Sequence, residues 1–278
     1  IQPVKENTDP LNVFLGNQQL TPSFRSNLNI YFNDYKVLTN QYLYFGGGYN
    51  FTSNQIVNNT TTDIKTGKST IQYVNLKDKM PVSYYVNGNF GRKTGIWGLT
   101  MGANLNASSN TNYSYTNGVL NNANSGNYSG GININKYEKD KYDFYISAGP
   151  SYNISKSSLQ QQVNNNGRGF YTRGNMNIYL PAKFKISSDV NYTYTAPTGT
   201  FSTDLKRTLL NASISKSFFK ANTLRATISG NDLLNQNVGF NRNAYGNSVS
   251  QNTYTTIQRY FMFGITWDFS QMGGPTAK

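Results

Sequence analysis

IQRYFMFGITWDF, residues 257–269, is the stretch whose reading decides the fold. Every second residue from Ile257 gives Ile257, Arg259, Phe261, Phe263, Ile265, Trp267 and Phe269. The other parity gives Gln258, Tyr260, Met262, Gly264, Thr266 and Asp268. One face is apolar and aromatic; the other is mixed and ends in an acid. A period of two belongs to a β-strand, whereas a helix repeats every 3.6 residues or so. A tilted strand of about 9–11 residues crosses a bilayer, and an aromatic at its end suits the membrane–water boundary. A long strand of a soluble sandwich or barrel would alternate in the same way. The rest of the chain has to separate the two.

Working outward, the same alternation recurs. Leu28, Ile30 and Phe32 mark a first strand at 24–32, and residues 42–51 a second. Val82, Tyr84, Val86 and Phe90 mark a third, and Trp97, Leu99, Met101, Ala103 and Leu105 a fourth. Ile132 and Ile134 lie in a fifth. A sixth runs from Tyr142 to Ile154 across Pro150, which cannot donate a ladder bond and predicts a bulge or a local irregularity. Met176, Ile178 and Leu180 give a seventh, and Phe184, Ile186, Val190, Tyr192 and Tyr194 an eighth. Leu210, Ala212 and Ile214 give a ninth; Leu224, Ala226 and Ile228 give a tenth; the opening stretch is the eleventh. Even-numbered residues take the apolar face in the eighth strand and odd-numbered ones in the last. Gly46 to Gly48 interrupt the second strand and predict close backbone approach or a bend. A phosphate-loop reading of these glycines fails, because no helical pattern follows.

The connections sort into two sets. Short ones fall at 33–40, 91–95, 137–141, 180–183 and 217–222; long polar ones fall at 52–80, 108–127, 155–168, 196–203 and 231–250. Residues 52–80 carry a hairpin of their own around Thr70–Val74. Short turns on one side and long loops on the other are the mark of an outer-membrane barrel, with the short side periplasmic. A soluble sandwich has no reason to sort its loops this way. The predicted fold class is therefore all-β, an antiparallel transmembrane β-barrel. About 11 strands fall within residues 23–269, with 1–22 as an extracellular loop and 270–278 as a periplasmic tail. Bacterial single-chain barrels have even strand numbers, so eleven reads as the C-terminal half of a 22-stranded barrel with an open sheet. A further strand within 1–22 or 70–76 would instead close a 12-stranded barrel. The start at Ile1, without Met or leader, reads as processing or trimming.

Composition narrows the function classes. Charged residues are 13% of the chain, against about 25% in a typical soluble domain. The 22 Tyr, 16 Phe and 2 Trp argue against disorder. No apolar run is long enough for a membrane helix. The mean hydropathy of −0.58 is compatible with a barrel, where only alternate residues meet lipid. There is no Cys and no His, which removes thiolate chemistry, the commonest general base and the commonest metal ligand. The aspartates are scattered without a catalytic pair, and no Ser sits in a nucleophile motif. The chain is thus expected not to be an enzyme and to use no cofactor or metal. The formal charge of +13 is assigned to lysines at predicted turns: Lys36, Lys93, Lys136, Lys139, Lys141, Lys183, Lys216 and Lys220. No nucleic-acid motif accompanies them.

Three stretches carry a resemblance. TDPLNVFLGNQQLTPSF (8–24), SGNDLLNQN (229–237) and the terminal IQRYFMFGITWDF resemble, in order, segments of the outer-membrane β-barrel family of TonB-dependent receptor-like proteins of Bacteroidetes. Gln18–Gln19 replaces the family's frequent Asn-Pro, and the tail SQMGGPTAK runs beyond the terminal strand. The resemblance implies the bacterial outer membrane, its lipid, a plug, about eleven earlier strands, and TonB and a surface lipoprotein as partners. Candidate lumen residues are Arg25, Lys185, Asp189 and Arg225, which would meet an anionic solute or pair with lumen acids or a plug. Asn231–Asp232 is expected to cap a turn. The tyrosine-rich loops at 108–128 and 240–254 are candidate contacts for a peptide, glycan or lipoprotein. Energy-coupled nutrient uptake, a structural subunit of a membrane complex and a passive porin stand as the functional alternatives.

Overall fold

The computed structural model describes residues 11–161, 165–245 and 248–268. A 4-residue strand, β1 (Asn12–Leu15), opens it, and β2 (Phe24–Lys36) and β3 (Gln41–Ser53) follow as a hairpin. Next come β4 (Ile56–Thr62), β5 (Ser69–Asn75), β6 (Val82–Lys93), β7 (Thr100–Thr116), β8 (Val119–Glu138) and β9 (Tyr142–Ser157). The chain continues through β10 (Gly167–Leu180), β11 (Phe184–Thr195), β12 (Leu205–Phe218) and β13 (Leu224–Asn231). β14 (Gly239–Tyr245), β15 (Ser248–Tyr254) and β16 (Tyr260–Trp267) complete it.

Eleven of these strands form one antiparallel wall in the order β2, β3, β6 through β13, β16. The eleven sequence-predicted strands are these eleven. β2 pairs only with β3 and β16 only with β13, so among the described residues the sheet is open and not a closed barrel. The 12-stranded alternative needs a further strand from 1–22 or 70–76 to join the wall between β2 and β16; β1 and β5 pair with each other and, among the described residues, with neither of these edges. The hairpin expected within 52–80 is β4–β5. β1 adds to it in parallel, against the expectation of plain loop over 1–22, and β4 touches the far end of β7, also in parallel. Val13, Val57 and Leu76 are buried in this upper sheet. Residues 269–278, including the expected tail, lie outside the described residues.

Three boundaries differ from the sequence reading. The expected loop 108–127 is strand: β7 and β8 run on to a two-residue turn at Asn117 (φ 49°) and Gly118 (φ 78°). Asn-Gly with both φ positive is the tight hairpin turn whose twist matches its strands. The expected turn 91–95 is displaced to 94–99, and Trp97 lies in it at φ 49° rather than in a strand. The expected loop at 240–254 is the hairpin β14–β15. Pro150 behaves as predicted. Pairing of β8 with β9 lapses between Ser129↔Ser151 and Ile132↔Ala148, yet the register is the same on both sides.

Alternation gives the wall two faces. On the outer face, Ile186, Ile214, Ile228 and Phe263 sit side by side across β11, β12, β13 and β16. Ile214, Ile228 and Phe263 are more than half exposed. The predicted parity, even in β11 and odd in β16, therefore holds. Above and below this apolar band lie aromatics or lysines. Tyr128 and Lys136 on β8, Tyr152 and Phe144 on β9, and Tyr192 and Phe184 on β11 are each eight residues apart. Eight residues of a strand tilted by about 40° span about 20 Å, close to the ~25 Å lipid-facing band of outer-membrane walls. Upper-rim Tyr84 and Tyr128 share a 2.8 Å hydrogen bond between their hydroxyls.

Candidate functional site: the inner wall

The inner face is polar and concave. Its main cleft, about 840 Å³, runs from β6 to β12 and is lined by Asn, Ser, Thr and Tyr side chains with Arg173 and Arg207. Among the described residues no Asp or Glu lines it. Arg173 and Arg207 sit on β10 and β12 with β11 between them, their α-carbons about 12 Å apart by strand geometry. Two guanidiniums without a carboxylate make this a positive patch in a hydrogen-bonding cleft.

Glycines shape the cleft. Tyr171 on β10 lies opposite Gly149 on β9, and Gly131 on β8 lies opposite Asn104 on β7. With no side chain at either glycine, the Tyr171 ring lies across both strands and its hydroxyl donates to Asn104 Oδ1 at 2.9 Å. Asn104 Nδ2 in turn donates to Ser147 Oγ at 3.2 Å, and the Arg173 guanidinium sits 5.8 Å from the Tyr171 ring centre. The same device explains Gly46, where an added Cβ would fall 2.7 Å from the Tyr44 hydroxyl, and Gly48. Tyr85 lies over Gly48, where an added Cβ would fall 2.2 Å from its ring. Its hydroxyl reaches Asn29 Oδ1 at 3.3 Å and the Tyr31 hydroxyl at 2.8 Å. Close approach, one of the two sequence expectations for these glycines, is thus approach by tyrosine side chains at Gly46 and Gly48. Removing the Tyr171 hydroxyl (Tyr171→Phe) is expected to lower stability by about 0.5–1.5 kcal/mol, read as a shifted urea midpoint.

The four sequence-predicted lumen residues all have inward parity, but the structure does not bring them together. Arg25 is at the start of β2, opposite Thr52, beside a separate 470 Å³ hollow with Asn50 and Ser83. Lys185 stacks over Tyr179 at 5.4 Å. Asp189, four residues further along β11, accepts from Asn211 Nδ2 at 2.8 Å. Arg225 faces Ser217 and Thr266 near the short-turn rim. Among the described residues none of the four makes an ion pair; the two present are Lys136–Glu138 and Lys206–Asp204. The sequence reading missed Arg173 and Arg207. Arg173 was accessible by parity, since Met176, Ile178 and Leu180 face outward on its strand. Arg207 lies just before the apolar run that marked the ninth strand.

Asp232 caps its loop as expected. It is 4% exposed, and its carboxylate accepts the backbone N–H groups of Gln236 and Asn237, each at 2.9 Å. Its own N–H donates to Asn211 Oδ1 at 2.8 Å. Asn211 thus links the loop to Asp189 in the inner wall. Asp232→Ala is expected to loosen this loop by roughly 1–2 kcal/mol, seen as faster amide exchange at Gln236 and Asn237.

An open antiparallel wall, apolar outside between two rims and polar inside, is the wall of an outer-membrane β-barrel protein. Residues 1–267 match the outer membrane protein beta-barrel family, and the chain belongs to that family. Its location is therefore the bacterial outer membrane. No curated protein and no solved structure matches the chain.

Proposed function

We propose that the chain forms half of the wall of a TonB-dependent receptor, which takes up a polar, negatively charged nutrient with energy supplied from across the periplasm. The supporting observation is the cleft on the inner wall: polar, concave, carrying Arg173 and Arg207 and no carboxylate. The open edges at β2 and β16 fit a wall completed by eleven further strands around a plug, because backbone groups left unpaired in lipid cost several kcal/mol each. In this reading the side chains bind and pass the solute and do no covalent chemistry, and a surface lipoprotein meets the raised β1, β4 and β5 strands.

The test is made on the intact protein in planar bilayers, together with binding of TonB's periplasmic domain. A plugged, energy-coupled receptor gives no steady pore and binds TonB. A steady ohmic pore without TonB binding overturns the proposal in favour of a passive porin. A blocked wall that ignores TonB and co-purifies in fixed stoichiometry with other membrane proteins overturns it in favour of a structural subunit.

A further inference from the structure

Lys216 has outward parity on β12, level with the rim of the apolar band. Phe184 is its direct cross-strand partner on one side and Ala226 on the other. Its ammonium lies 4.7 Å from the Phe184 ring centre and 5.4 Å from that of Phe218. Trp267 on β16, 60% exposed, continues the aromatic rim. Aromatic faces attract a cation but carry no net charge, and among the described residues no carboxylate lies within 4 Å of this one.

The same arrangement recurs at Lys206, whose ammonium lies 5.6 Å from the ring centre of its cross-strand partner Tyr194 and 2.9 Å from Asp204 Oδ2, and again at Lys136. Lys136 on β8 also has outward parity, directly opposite an outward Phe, Phe144, and its ammonium lies 5.5 Å from the Tyr142 ring centre. There the protein supplies the counter-charge itself, Glu138 Oε2 at 3.9 Å. At Lys216 the equivalent position, two residues on along the strand, is Phe218, and the cross-strand neighbours are Phe184 and Ala226, so the anion has to come from outside the protein. A lysine at this height reaches the headgroup layer while its stem stays on apolar surface. The exposed Ile214 and Ile228 lie beside it, where acyl chains would run.

We propose that Lys216, framed by Phe184, Phe218 and Ala226, binds the phosphodiester of an acidic phospholipid in the leaflet on the short-turn side. The site is on the outer face and does not rest on the transport reading or on how the wall is completed. It also revises the sequence assignment of this charge to a turn, since Lys216 lies within a strand.

The test is native mass spectrometry of the intact protein in detergent, with equal amounts of phosphatidylglycerol and phosphatidylcholine. Wild type is expected to retain phosphatidylglycerol about five-fold over phosphatidylcholine, one lysine's attraction to an anionic headgroup. K216Q should bring the two to parity, K216R should keep the preference, and K136Q should leave it unchanged. A226D, which places a carboxylate directly across the strand pair from Lys216, should abolish it by a second route and covers the case in which K216Q does not fold. No preference in wild type, or an undiminished preference in K216Q and A226D, overturns the proposal. Displacement of the bound lipid by millimolar inorganic phosphate would also overturn it, by assigning the site to a soluble phosphate.

Discussion

Ile214→Arg is expected to destabilise the protein in bilayers by about 1–3 kcal/mol, between the penalties at the interface and at the midplane, whereas Ser213→Arg, one residue away, should cost far less. Ile214 is 53% exposed, an exposure that in water would make it a tolerant site. Its surroundings say otherwise. It sits in the row Ile186, Ile214, Ile228, Phe263, two residues in from the rim level of Phe184 and Lys216 and so inside the eight-residue band, between its edge and its middle. An arginine there must carry its guanidinium into hydrocarbon or thin the bilayer around it. Ser213 has inward parity, between Ser187 and Ser229, where small polar neighbours and water receive a charge. Phe263→Arg belongs to the same row and should behave like Ile214→Arg. The measurement is equilibrium unfolding of the intact protein from vesicles. Equal costs at 213 and 214 would mean that the faces are assigned the wrong way round.

Gly149→Val should be about as damaging, near 3 kcal/mol at the upper end of overpacking penalties, while Gly264→Ala should be close to neutral. A Cβ at Gly149 would lie 1.9 Å from the Gly130 carbonyl oxygen and 2.5 Å from the Gly131 α-carbon. The neighbour is backbone, so no side-chain rotation relieves the clash, and the β8–β9 ladder would have to part where it already lapses beside Pro150. Tyr171 would also lose its path to Asn104. Gly264 has nothing within 4 Å of its would-be Cβ. Denaturation midpoints separate the two variants, and a neutral Gly149→Val would refute the account of the glycines.

The wall was legible because lipid on one side and a polar interior on the other impose a strict two-residue period, visible in Phe184 to Tyr194 and Ile257 to Phe269. Where the strands rise above the membrane, both faces meet water and the period disappears. Residues 108–127 therefore read as loop, although Asn117–Gly118 carried the turn signal. Trp97 misled for the opposite reason. A rim aromatic continues the apolar parity of its strand by sequence count while the backbone has already turned. The inner cleft was least legible. Tyr171, Gly149, Gly131 and Asn104 lie on four different strands, and what joins them is cross-strand register, which no single strand's alternation encodes. Arg25, Lys185, Asp189 and Arg225 were correctly given inward parity, but parity does not say how far apart along the wall they stand.

The pairing order has a kinetic side. Along the wall every strand pairs with the wall strand that follows it in sequence, and among the described residues the excursions from it are β1 with the β4–β5 hairpin it joins and the β14–β15 hairpin. The wall can therefore be laid down one hairpin at a time, each step closing a short loop rather than searching for a distant partner. Every intermediate of that series ends in a strand with one unpaired side, which hydrocarbon does not tolerate. Growth in the membrane must then proceed against an edge that is always occupied, with each new hairpin displacing whatever covered the one before.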